Sequence, residues 1–143
     1  MSAVLDTAAR RDLYALLARL FAAEVDVTLY LALLAQDRLD FIEASLRAES
    51  PEAAVEALAV EFCRLFIGPQ PPCAPYASAS LGEALLGGRS RTRLEEFFQR
   101  VDFMYDTAPT RIASPDHLAV TLAVLAHLYA HADLTRHVAA FLQ

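Results

Sequence analysis

The chain has 143 residues, twelve basic against eighteen acidic side chains, and a formal net charge of −6. Hydrophobic residues make up 56% and charged residues 21%, which excludes intrinsic disorder; a chain of this size buries roughly 68% of its extended surface, enough for one core without staples. All twelve basic residues are arginine, and with acid in excess the phosphate-neutralising surplus that nonspecific nucleic-acid binding needs is missing, so no nucleic-acid partner is expected.

Helical periodicity dominates. The first helix is predicted from about Asp6 to Ala23, with Leu13, Leu16, Leu17, Leu20 and Phe21 at spacings of three and four. Asp26 can cap a short second helix carrying Leu29, Leu33 and Leu34, and a third is expected from about Asp37 to Ala48. Ser50-Pro51 reads as an N-cap followed by proline at the first helical position, opening a helix whose stripe is Leu58, Phe62 and Leu65. Gly68-Pro69 should stop it, the glycine free to turn left-handed and the proline unable to continue. The stretch PQPPCAPYASAS from Pro69 to Ser80 holds four of the seven prolines and is expected to be an extended, stiff loop.

A short helix from about Ser80 to Leu86 should end at Gly87-Gly88. Thr92-Arg93-Leu94-Glu95 has capping-box spacing and predicts a helix through about Tyr105 that buries Leu94, Phe97, Phe98 and Val101. Ser114-Pro115 repeats the cap-plus-proline pattern and opens a helix to about Ala130, and Asp133 can cap a last one to Phe141. No β-branched alternation, internal repeat or long linker interrupts this pattern. The expectation is a single all-α domain, residues 1–143, of six to eight helices.

Cys63 and Cys73 sit ten apart, neither a CxxC pair nor a disulfide framework, which fits a reducing compartment. Asp6, Arg10, Arg11 and Asp12 break any early apolar stretch, so no export signal is expected. The helical run free of acidic and basic side chains other than histidine, His117 to Ala132, is too short to span a bilayer, so no stable membrane insertion is expected either. A cytoplasmic protein follows from these three observations.

Four places can carry chemistry. The proline loop is stiff before folding, and reads either as the wall of a peptide groove or as a connector whose prolines only prevent helix continuation. Asp116 falls in a helix-start segment, where a carboxylate meets the positive end of the macrodipole; His117 beside it reads as a recognition group, a general base or a plain helix-start residue. His127 and His131 share one helix face at zinc-ligand spacing, but HxxxH lacks a metalloprotease glutamate and further ligands, so no metal and no other cofactor is expected. Cys63 has the setting of a packing residue, Cys73 lacks a basic activator, and the serines sit in no GxSxG elbow, so no catalytic residues are expected.

The segment EFCRLFIGPQPPCAPYASAS, with Phe62, Arg64, Leu65, Phe66, Gly68, Pro69, Pro75, Tyr76 and Ser78, resembles the signature of the TorD/DmsD/NarJ family of cytoplasmic chaperones for molybdoenzymes. The second motif of that family, a proline-aspartate-histidine-leucine helix start, is matched by Pro115, Asp116, His117 and Leu118, and Leu85-Leu86-Gly87-Gly88 resembles its middle segment. The resemblance implies an all-helical chaperone, not an enzyme. Its partner would be the catalytic subunit of a molybdoenzyme and that subunit's twin-arginine leader peptide, held until the cofactor is inserted and export can follow. It also implies peptide binding by Leu65, Phe66, Gly68, Pro69, Pro75, Tyr76, Ser78, Asp116 and His117, with Asp116 pairing a guanidinium. Two departures stand out: Thr121 occupies the place of a usual glutamate, and the C-terminal part is shorter than in the family, which would leave apolar surface for a homodimer, including a helix-swapped one. The alternative reading is a small helical adaptor that binds another partner helix and has no part in molybdoenzyme assembly.

Overall fold

The structure is a computed structural model that describes residues 6–36, 50–106, 110 and 112–143. Among these there are seven α-helices and no strand, the all-helical fold that the periodicity predicts. The chain divides into two compact units, one of Met1–Ala23 with Pro75–Gln143 and one of Glu24–Ala74. No helix among the described residues is long and apolar enough to cross a membrane.

In the first unit α1 spans Thr7–Ala22, and the Asp6 carboxylate caps it, accepting from the Ala9 amide at 2.7 Å. It packs along α6, Leu118–Ala130. Tyr14 stacks on Tyr129 at 5.7 Å and Ala18 is buried, whereas Leu13 of the predicted stripe is exposed. The central element is α6: Ala119, Val120, Leu122, Val124, Leu125 and Leu128 are all buried. A helix apolar on every side has to be enclosed, and each fully buried Val or Leu contributes about 1.5–3 kcal/mol.

Between them lie the one-turn α4, Ala77–Ser80, and α5, Gly88–Arg100, whose Phe97 and Phe98 join Val101, Val120, Val124 and Leu128 in the core. Both differ from the sequence expectation. The proline-rich stretch is not extended throughout, because its last four residues form α4, and residues 81–87 are turns instead of a helix ended by glycines. Gly87 is the N-cap of α5, so the helix starts before Thr92. It stops at Arg100 because Asp102 takes a left-handed φ of 50° and the Phe103 amide bonds back to the Phe98 carbonyl at 3.0 Å. The two rings meet at 5.1 Å, completing a Schellman stop without glycine. After α6, a 3-10 turn, Thr135–His137, leads into α7, Val138–Phe141, where one longer helix was predicted.

In the second unit α2 spans Val27–Ala35, with Asp26 accepting from the Leu29 amide at 2.8 Å, and packs against α3, Pro51–Phe62, capped by Ser50. Tyr30, Leu33 and Ala54 are buried here. The helix predicted over 37–48 lies outside the described residues. α3 runs on as a π-helical turn, Cys63–Ile67, closed by a Gly68 amide to Cys63 carbonyl bond of 3.0 Å. Gly68 has φ −53° and ψ 166°, so the chain leaves through extended backbone and not through the left-handed turn expected there.

Candidate functional site

Of the nine residues singled out in the sequence, Pro75, Tyr76, Ser78, Asp116 and His117 belong to the first unit, and Leu65, Phe66, Gly68 and Pro69 to the second. The five in the first unit are brought together. An isolated antiparallel bridge pairs Tyr76 with His117: the Ala77 amide donates to the Asp116 carbonyl at 3.0 Å, and the Leu118 amide to the Pro75 carbonyl at 2.7 Å. The two rings meet edge to face at 4.8 Å, and the Tyr76 hydroxyl accepts from the Ala113 amide at 3.2 Å.

This bridge explains why α6 starts at Leu118 and not at Pro115. With its carbonyl taken by Ala77, Asp116 is held out of the helix, and the His117 backbone is extended. Ser114 is not the cap; its carbonyl accepts from the His117 amide in a turn, and His117 itself caps α6 as Nδ1 accepts from the Ala119 amide at 3.0 Å. That bond needs an unprotonated Nδ1. Burial pushes the His117 pKa down, and the opposing charge of Asp116 does not restore it.

The Asp116 carboxylate does not serve the helix terminus. One of its oxygens, Oδ2, accepts from the Ser78 amide at 2.9 Å and from the Ser78 hydroxyl at 2.6 Å. The same hydroxyl accepts from the Gly87 amide at 2.9 Å. Ser78 and Asp116 are each only 1% exposed. Burial raises the Asp116 pKa, but the neighbouring Ser114 hydroxyl and the hydroxyl and amide of Ser78 outweigh it, and the carboxyl lies below its ordinary range. Asp116 Oδ1 and Ser114 Oγ are shielded from solvent without a partner of good geometry.

Gly87 is the residue that sequence reasoning missed here. Its φ is 85°, and a Cβ would lie 2.5 Å from Ser114 Oγ and 3.2 Å from Arg91 Cβ. The signal was the Gly87-Gly88 pair, which resembles a helix stop in sequence and is a helix start in space. Three segments far apart in sequence thus close on one hydroxyl: Pro75–Ser78, Gly87 and Ser114–Leu118.

In the second unit Leu65 and Phe66 are half-buried on the π-helical turn, and the Phe66 ring is 5.1 Å from Phe62. The Cys73 amide donates to the Leu65 carbonyl at 3.1 Å, so the loop folds back onto the turn it follows. Pro69 and Cys73 are exposed; the Cys63 thiol lies 3.6 Å from Glu24 Oε1. As for the histidine pair, His127 Nε2 meets the Val101 carbonyl at 3.0 Å, so it donates there and satisfies an end carbonyl of α5. Among the described residues no three His, Cys, Asp or Glu side chains form a metal-holding group.

A sequence model of the nitrate reductase delta subunit family matches residues 26–142. The chain belongs to that family. It is 29% identical, over 87% of its length and 66% of the relative's, to the chaperone protein TorD of Shewanella pealeana. It is 30% identical to the TorD chaperones of two Shewanella strains, ANA-3 and MR-4, over 87% of the chain and 68% of each relative. It therefore spans about two thirds of the length of these curated relatives. No solved structure matches the chain. The span matched by the nitrate reductase delta family holds both motif regions and the whole Ser78–Asp116–Gly87 clasp, and α1 precedes it. The resemblance read from Phe62–Ser78 and Pro115–Leu118 is thus the relationship found by comparison over most of the chain.

Proposed function

We propose that this chain is a cytoplasmic chaperone, without catalytic activity, for a molybdenum-cofactor oxidoreductase, and that it binds that enzyme's twin-arginine leader peptide or apo form before export. The observation that carries the reading is the clasp. Ser78 and Asp116, 38 positions apart, are hydrogen-bonded and buried at the meeting point of the two family motifs. A surface fixed before binding spends less affinity on ordering itself, and the prolines of the adjoining loop act in the same direction.

The division of labour follows from burial. Tyr76 is half-buried and offers ring area; beside Ser78 and Gly87, the exposed Leu81, Leu85 and Leu86 offer apolar surface suited to the hydrophobic part of a leader. Asp116 acts from beneath, because its carboxylate is engaged with Ser78. Direct pairing with a leader arginine would require it to leave that partner. The net charge of −6 favours encounter with a basic leader. Leu65, Phe66, Gly68 and Pro69 belong to the second unit, and their part in peptide binding is proposed on the family motif alone.

The test is co-expression with the molybdoenzymes of the source organism, each with its native leader and with the paired leader arginines changed to lysine. Co-purification of one apoenzyme through its intact leader supports the proposal. Failure to retain any of them overturns it in favour of an adaptor with another client.

A further inference from the structure

Within the first unit a groove adjoins the clasp at Ala77, Leu81 and Thr121 and runs between α4, α5, α6 and α7, with a volume of about 280 Å³. Leu94, Phe97 and Phe141 form its apolar floor and Leu81, 70% exposed, one lip. Arg93 and Arg100 line it as well. They are seven positions apart on α5, two helical turns and so on one side of the helix, about 10 Å from each other along the axis.

The charge pattern distinguishes this groove. The chain is acidic overall, and three exposed arginines, Arg11, Arg64 and Arg91, pair with Asp12, Glu61 and Glu95. Arg93 and Arg100 form no ion pair among the described residues; Arg100 lies over the Phe97 ring at 5.2 Å, which holds its guanidinium at the groove. Glu96 lies between them on the helix, exposed, but does not line the groove, and no Asp or Glu side chain does so among the described residues. A basic leader would meet repulsion here. A segment with an apolar ridge and two carboxylates would complete both halves of the surface.

We infer that this groove docks an acidic, apolar-faced helical segment of a partner protein, with carboxylates meeting Arg93 and Arg100 and one large apolar side chain seated between Leu94 and Phe141. This goes beyond leader recognition: Arg93, Leu94, Arg100 and Phe141 have no part in the proposed leader surface, only the Leu81 lip is common to both, and the charge of the probe separates the two readings.

The probe is a synthetic helical peptide with a leucine stripe flanked by two glutamates seven residues apart, followed by fluorescence anisotropy on the full chain. Controls are the same peptide with lysine for glutamate and inorganic phosphate as competitor. The acidic peptide should bind, the lysine peptide should bind at least about tenfold more weakly, and rising salt should narrow the gap. Arg93→Glu and the double variant with Arg100→Glu should lose about tenfold in affinity for the acidic peptide with unchanged melting temperature, while binding of a twin-arginine leader is not reduced. Arg93→Glu alone keeps the test valid if loss of the Arg100–Phe97 contact perturbs folding. Equal binding of both peptides, an unchanged affinity in Arg93→Glu, or displacement by inorganic phosphate at millimolar level would overturn the inference, the last in favour of a small-anion site.

Discussion

Replacing Asp116 with alanine should destabilise the chain far more than loss of a helix-dipole partner would. The substitution strips the acceptor from two Ser78 donors, its amide at 2.9 Å and its hydroxyl at 2.6 Å, in a place where both residues are 1% exposed. A hydrogen bond to a charged group is worth about 1.5–3 kcal/mol, and buried donors left without a partner add their desolvation. Against this stands the cost of burying the carboxylate, one of whose oxygens, Oδ1, has no partner. A net loss of about 3 kcal/mol follows, or roughly 6–12 °C in melting temperature for a chain of this size. The assay is urea unfolding of wild type, Asp116→Ala, Ser78→Ala and the double variant. The cycle should return a coupling of about 1.5–3 kcal/mol. If Asp116 only served the α6 terminus, its loss would cost about 0.3–1 kcal/mol and the two substitutions would add, which would refute the clasp.

Two further outcomes follow from the same site. Gly87→Ala forces a side chain into a left-handed φ of 85° and against Ser114 Oγ, so it should cost about 2 kcal/mol or more in urea unfolding and should spread to the Ser78 hydroxyl bond; a neutral result would show that the α5 start is not fixed by this glycine. The pH response has a definite sign. Both His117 and Asp116 titrate below their ordinary values, so the stability each contributes is complete above its unfolded pKa and is lost as pH falls, from about 6.5 for the histidine and about 3.9 for the aspartate. His117→Asn keeps a capping acceptor without the proton and should flatten the upper step in a plot of urea midpoint against pH, whereas an unchanged step would assign it to another group.

The parts of the fold legible in the sequence are those set by local chemistry. Asp26 and Ser50 cap the helices they were expected to cap, because a side chain three positions from its amide partner needs no information from elsewhere. Phe97, Phe98 and Val101 face the core as their spacing predicts. The errors arise where a distant segment decides. Pro115 resembles a helix opener, but Ala77 takes the carbonyl of Asp116 and delays α6 to Leu118. Asp102 is not a glycine, and its left-handed φ is supported by the Phe98–Phe103 contact, so the end of α5 carried no recognisable letter. The site was legible as residue types: Tyr76, Ser78, Asp116 and His117 were singled out and lie together. Their relationship was not, since a carboxylate 38 positions from its serine leaves no periodic trace.

The most direct test of the chaperone reading is calorimetric titration of the full chain with a synthetic twin-arginine leader from a molybdoenzyme of the source organism, beside the same peptide with both arginines changed to lysine and a Tyr76→Ala variant of the chain. The account predicts saturable binding of the native leader at one site, weakened about tenfold or more by the lysine replacements and by Tyr76→Ala, with the fold of the variant retained. Equal heats for the two peptides, or full affinity in Tyr76→Ala, would contradict it.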